Sequence, residues 1–92
     1  MPDELIAQRF VVHGRVQGVG FRHFTLNAAN RHNVSGYARN LADGSVEVYA
    51  RGTAAQLSEL AGSLRTGPPF SDVRWVDVSE AALEKHTGFR IR

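Results

Sequence analysis

The chain has 92 residues, of which 42 per cent are hydrophobic and 22 per cent charged. That balance fits one globular domain over residues 1–92 and excludes a disordered chain. There is no cysteine, which removes disulfide scaffolds, thiolate metal sites and cysteine nucleophiles together. Net charge is +2, and Lys85 is the only lysine among 11 basic residues. The arginines are interleaved with acids, which reads as a mixed solvated surface and not a nucleic-acid patch. No apolar run approaches the ~20 residues that span a bilayer. Met1 to Gln8 carries two acids and no basic apolar leader, so a cytoplasmic location is expected.

Residues 6 to 13 alternate, with Ile6, Gln8, Phe10 and Val12 on one face, which predicts a strand. Gly14 to Gly20 holds three glycines in seven residues and reads as a loop. Phe21 opens a helical pattern with Phe24, Ala28 and Ala29 on its stripe. Asn33 sits where that helix should end, because asparagine tolerates the left-handed conformation. A second strand covers roughly Val34 to Leu41, and Asp43-Gly44 marks a hairpin turn. The returning strand is Ser45 to Arg51, where Val46 and Val48 alternate with Glu47 and Tyr49. Thr53 and Gln56 form a capping box for a second helix with Leu57, Leu60, Ala61 and Leu64 on one face. Gly67-Pro68-Pro69 stops it. A strand over 72 to 79 and a short last strand around Phe89 and Ile91 complete the chain, with Phe70 and Trp75 expected as packing residues. The order predicts an α+β ferredoxin-like βαββαβ sandwich plus a short C-terminal strand. One mixed, mainly antiparallel sheet would carry both helices on one face.

The stretch that carries chemistry runs from Gly14 through Arg15, Val16, Gln17, Gly18, Val19, Gly20 and Phe21 to Arg22. A glycine-rich turn passes straight from a strand into a helix. Glycines let backbone N–H groups point inward, and the helix N-terminus adds unpaired N–H groups and a partial positive charge. That makes an anion cradle, with phosphate its commonest guest, against the alternative of a plain tight turn. Arg22 lies in the first helical turn, where the dipole disfavours a cation; an arginine aimed at a bound phosphate explains the placement better. There is no glycine-lysine-serine or glycine-lysine-threonine, so this is not a Walker-type loop, and His23 occupies the third glycine's place of a dinucleotide pattern. His13, His23, His32 and His86 have no metal-ligand spacing, so no metal or other cofactor is expected. Asp43 reads as a turn residue, and Asn40 taken alone as a strand-end cap.

The same residues resemble the acylphosphatase family. Its strand is followed by glycine-x-valine-glutamine-glycine-valine-x-phenylalanine-arginine, matched here by Gly14, Val16, Gln17, Gly18, Val19, Phe21 and Arg22. Its second element, a glycine, an aromatic, two variable residues and an asparagine before aspartate-glycine, is matched by Gly36-Tyr37-Ala38-Arg39-Asn40 and Asp43-Gly44. Val46-Glu47, Gly52, Gly67-Pro68 and Phe89-x-Ile91 match as well. The likeness extends from about Arg9 to Arg92. Tyr37 stands where tryptophan is frequent, Asn33-Val34 replaces glycine-leucine, and His32 replaces an apolar residue.

The resemblance implies a metal-independent hydrolase that cleaves the carboxyl–phosphate bond of small acyl phosphates. The family's catalytic arginine and asparagine fall on Arg22 and Asn40, and Arg15 to Arg22 would form the phosphate-binding loop. An acyl phosphate departs as a carboxylate whose conjugate acid has a pKa of ~4, so it needs no protonation. Positioning and charge stabilisation can then suffice. Arg22 and the loop amides would hold the nonbridging oxygens, and Asn40 would orient a water. Two rivals come from other classes. The Gly18-to-Phe24 stretch looks a little like the aromatic motif of RNA-recognition domains, but that motif belongs on the third strand, which offers only Tyr49. Similar domains also open larger maturation proteins that handle carbamoyl phosphate, with cysteine-rich modules that this chain lacks. The partner expected is therefore a small acyl phosphate, with no nucleic acid or membrane, and a monomer.

Overall fold

The structure, a computed structural model, describes residues 4–92. The expected domain and the N-terminal reading both extend over residues 1–3, which lie outside the described residues. Seven elements follow in chain order: β1 (Ile6–Arg15), α1 (Phe21–Arg31), β2 (Ser35–Asn40), β3 (Val46–Gly52), α2 (Ala54–Thr66), β4 (Asp72–Ala81) and β5 (Phe89–Ile91). The five strands form one sheet in the order β4-β1-β3-β2-β5. The β1/β3, β1/β4 and β2/β3 pairs are antiparallel, whereas β2 and β5 run parallel. This is the ferredoxin-like sandwich with the added last strand that the element order predicts.

Alternation decides which side of the sheet the helices cover. Phe10 and Val12 of β1 lie opposite Val48 and Val46 of β3, and all four are fully buried. Leu57, Leu60, Ala61 and Leu64 of α2 and Phe21, Thr25, Ala28 and Ala29 of α1 are the helices' buried positions. Removing a Phe, Leu or Val side chain from water contributes about 1.5–3 kcal/mol, so this one apolar layer is the principal driving force. The capping box at Thr53 is present in full: the Gln56 N–H donates to Thr53 Oγ1 and the Thr53 N–H donates to Gln56 Oε1. Asn33 takes φ 58°, the left-handed conformation expected just past α1.

Several boundaries differ from the sequence reading. Gly14 and Arg15 belong to β1, because β4 continues beside them as far as Asp72. β4 extends to Ala81 for the same reason, pairing with Ala7. Thr25, not Phe24, fills the buried place on the α1 stripe, its hydroxyl donating to the Phe21 carbonyl at 2.9 Å. Phe70 is 81 % exposed in the turn after α2 and packs nothing into the core. Trp75 is half-exposed and stacks on His13, with ring centroids 4.5 Å apart.

The face away from the helices is covered in part by the segment after β4. The Tyr49 hydroxyl donates to the Ala82 carbonyl and accepts the Glu84 N–H, both at 2.7 Å. Tyr37 stacks on Tyr49, and the Arg92 guanidinium lies 3.9 Å from the Tyr37 ring centroid. Beside them Glu47, buried at 4 % exposure, accepts from both Arg9 and Arg39. Among the described residues no helix is long and apolar enough to cross a membrane.

Candidate active site

The site begins where β1 leaves the sheet. The register against β4 shifts between His13 and Gly14. A Cβ at Gly14 would stand 2.1 Å from the Asp72 carbonyl oxygen, so only glycine lets the strand lie this close. Val16 is then buried, anchoring the departing chain in the core. Gly20 takes φ 79° as the cap residue of α1, a conformation that costs other residues a steric clash. Buried Phe21 anchors the far end.

The N-terminus of α1 lacks the usual neutralising groups. Gly20 offers no side-chain acceptor, and there is no acid in the first turn. The first intrahelical bond here is from the Phe24 N–H to the Gly20 carbonyl, at 3.0 Å. By helix geometry the N–H groups before it have no partner along the chain. A positive helix end without an acid, with Arg22 beside it, favours an anion.

Asn40 reaches the same place from β2. It is the last residue of that strand and pairs with Val46, which shares a face with Val12 across β3. The pairing puts Asn40 on the helix side of the sheet, at the edge where α1 begins. A cleft of about 100 Å³ is lined by Val16, Gly18, Gly20, Phe21, Arg22, His23 and Asn40. Two larger depressions lie elsewhere, one beside Leu5 and Leu83 and one between α2 and Val78; neither includes the glycine loop.

The Arg22 side chain donates from Nη1 to the main-chain oxygen of Arg92 at 2.9 Å. The Arg92 N–H in turn donates to the Ala38 carbonyl of β2 at 2.8 Å. The guanidinium is thus tied to the strand that carries Asn40. Among the described residues no Asp or Glu side chain pairs with Arg22.

Of the loop residues expected in the site, Arg15, Gln17 and Val19 do not line the cleft. Arg15 is exposed at the end of β1, and Val19 packs against the core. Gln17 sends its side chain to the β2–β3 turn. His23 lines the cleft although the sequence reading gave it no place in the site. Its place in the first turn beside Arg22 was the signal. Asp43 accepts from both the N–H and the hydroxyl of Ser45, confirming a turn role. Those two donors hold its carboxyl below the usual carboxylate range, the hydroxyl first. Among the described residues no three His, Cys, Asp or Glu side chains gather into a group that could hold a metal ion.

The acylphosphatase family model matches residues 8–91. The acylphosphatase of Solibacter usitatus is 56 % identical over 86 residues, covering 94 % of this chain and 90 % of that protein. The crystal structure of acylphosphatase from Bacillus subtilis superposes with a TM-score of 0.91 at 39 % identity, covering 97 % of this chain and 99 % of the other. The structure of an acylphosphatase from Coxiella burnetii superposes with a TM-score of 0.91 at 33 % identity, covering 96 % of this chain and 93 % of the other. In sequence over nearly its whole length, and in the path of its backbone, the chain belongs to the acylphosphatase family.

Proposed function

We propose that the cleft at the N-terminus of α1 hydrolyses the carboxyl–phosphate bond of small acyl phosphates, with Arg22 and the loop's backbone N–H groups that face the cleft holding the phosphate and Asn40 placing the water. As a member of its family the chain is a hydrolase of acyl phosphates; the division of labour among residues is our reading. The observation that carries it is the convergence of Arg22, an uncapped helix end and Asn40 on one small cleft.

The chemistry follows from that arrangement. The phosphoryl oxygens carry negative charge that fixed N–H dipoles and a guanidinium stabilise without reorganisation. Asn40 presents an amide whose oxygen accepts from a water and whose N–H₂ donates to that water or to a phosphoryl oxygen. The water attacks phosphorus in line with the bond to the acyl oxygen, that bond breaks, and the carboxylate leaves unprotonated. The phosphoryl group takes the water's proton. No step calls for a metal, and the reading includes none. It also takes residues 1–92 as one monomeric domain in the cytoplasm, without a nucleic-acid partner. Tyr49, the ring of β3 that a base could stack on, is only 3 % exposed, which supports that last point.

The test is release of inorganic phosphate from a small acyl phosphate in the presence of a chelator, with Arg22→Ala as control. Turnover by the natural chain and its loss in a folded Arg22→Ala protein are expected. Equal rates for the two, or activity that returns only with a divalent ion, would overturn the assignment.

A further inference from the structure

Gln17 belongs to the phosphate loop in sequence, yet its side chain faces away from the cleft. Its Nε2 donates to the Leu41 carbonyl at 2.8 Å and to the Ser45 carbonyl at 2.9 Å. These two carbonyls close the turn that directly follows Asn40. The Leu41 N–H donates to the Ser45 carbonyl at 2.9 Å, and the Gly44 N–H donates to the Leu41 carbonyl at 3.2 Å. Asp43 fixes the same turn from its other side through Ser45. One side-chain nitrogen therefore joins the phosphate loop to both ends of the β2–β3 turn.

We infer that Gln17 is a positioning residue: it sets the distance between the phosphate cradle and Asn40, and so between phosphorus and the attacking water. This rests on the reading of Asn40 given above. The choice of residue type follows from the acceptors. A primary amide carries two N–H bonds on one nitrogen, and here both are used on carbonyls that already accept one backbone bond each. Glutamate has the same shape but no donor, and methionine fills the space without a polar contact. The turn is otherwise joined to the sheet at one end by the pairing of Asn40 with Val46. Losing the Gln17 link frees the turn, and with it the Asn40 side chain, by a small displacement. Rates are steep in such displacements: misplacement by about 1 Å can cost on the order of a hundredfold.

The experiment is a double-mutant cycle on the intact chain, reading kcat, the inhibition constant of inorganic phosphate, and the melting temperature. Gln17→Met and Gln17→Glu are each combined with Asn40→Ala. Gln17→Met is expected to lower kcat at least about tenfold while phosphate inhibition changes less than about threefold, because the cradle and Arg22 remain. In the Asn40→Ala background the same substitution should change kcat less than about threefold, since nothing is left to position. Gln17→Glu should behave the same way in kcat and also weaken phosphate binding through its added charge. If Gln17→Met melts below the assay temperature, Gln17→Asn, which keeps the amide but shortens its reach, carries the same comparison. A Gln17→Met effect that is fully additive with Asn40→Ala, or that lowers phosphate affinity in parallel with kcat, makes Gln17 a merely structural loop residue and overturns the inference. A full rate in Gln17→Met overturns it as well. A full rate in Asn40→Ala would instead remove the reading of Asn40 on which it stands.

Discussion

Arg22 stands where the dipole of α1 opposes a cation, and its Nη1 is engaged by the Arg92 main-chain oxygen. That bond orients the plane of the guanidinium, so the remaining N–H groups present a fixed fork. Lysine would keep the charge but not the two parallel contacts. Arg22→Lys is expected to lower kcat/KM by about a hundredfold or more with little change in melting temperature; near-normal turnover in the folded variant would refute a bidentate contact. Glu47 shows the opposite design, a buried carboxylate with two guanidinium partners. Burial raises its pKa, but the hydrogen bonds and charges of Arg9 and Arg39 together outweigh it, and the net shift is downward. The folded chain therefore holds this proton less tightly than the unfolded one. The stabilisation is complete above the ordinary carboxylate value near ~4.3 and disappears as pH falls through the lower folded value. Glu47→Gln should reduce stability at neutral pH by about 1–3 kcal/mol. It should also flatten the acid limb of a plot of melting temperature against pH. An unchanged acid limb would show that Glu47 is not the group responsible.

The elements differ in how openly the sequence declares them. Helix α2 is fully legible: its four buried residues keep helical spacing, its capping box is a local signal, and Gly67 ends it. Thr53→Ala should cost about 1 kcal/mol, which for a chain of this size lowers the melting temperature by about 4–8 °C. Turnover at 25 °C should hold; an unchanged melting curve would show that the cap contributes nothing. The strands were less legible at their ends. A glycine reads as loop, yet Gly14 is a strand residue because the approach of β4 requires the absence of a Cβ. The β2–β3 hairpin was plain from Asp43-Gly44, but the Gln17 bridge to it was not, since it joins residues 24 and 28 positions apart. Loop and turn together make the site, and local pattern carries no record of their docking.

Across the whole molecule the site lies at one edge of the sheet, where the chain passes from β1 into α1 and where β2 ends. The resemblance to the acylphosphatase family made Arg22 and Asn40 legible as a pair, and the topology explains why they meet: β1 and β2 both run antiparallel to the intervening β3 and end on the same side. The back of the sheet was not legible. Tyr49 and Glu47 alternate like solvent-facing residues, but residues 82–84 cover the first and Arg9 and Arg39 close over the second. Phe70, expected as a packing residue, is exposed, because the turn after α2 projects it from the surface. If the loop holds the phosphoryl head as proposed, inorganic phosphate should compete with substrate. Added salt should weaken that competition if the charge of Arg22 supplies the attraction. Noncompetitive inhibition in steady-state plots would place phosphate outside the cleft.

The division of labour in the cleft is tested most directly by the steady-state rate of Asn40→Asp beside that of Asn40→Ala, each with its melting curve. Aspartate is nearly the size of asparagine and still accepts a hydrogen bond from water, so a residue acting only as a proton acceptor would keep or gain activity on this exchange. A residue that positions the water through its amide loses a donor and gains a negative charge beside an anionic substrate. The expected result is a loss of turnover by orders of magnitude in both variants, with melting temperatures close to that of the natural chain. An Asn40→Asp protein that keeps most of its rate, or two variants that fail only because they unfold, would contradict the role assigned to Asn40.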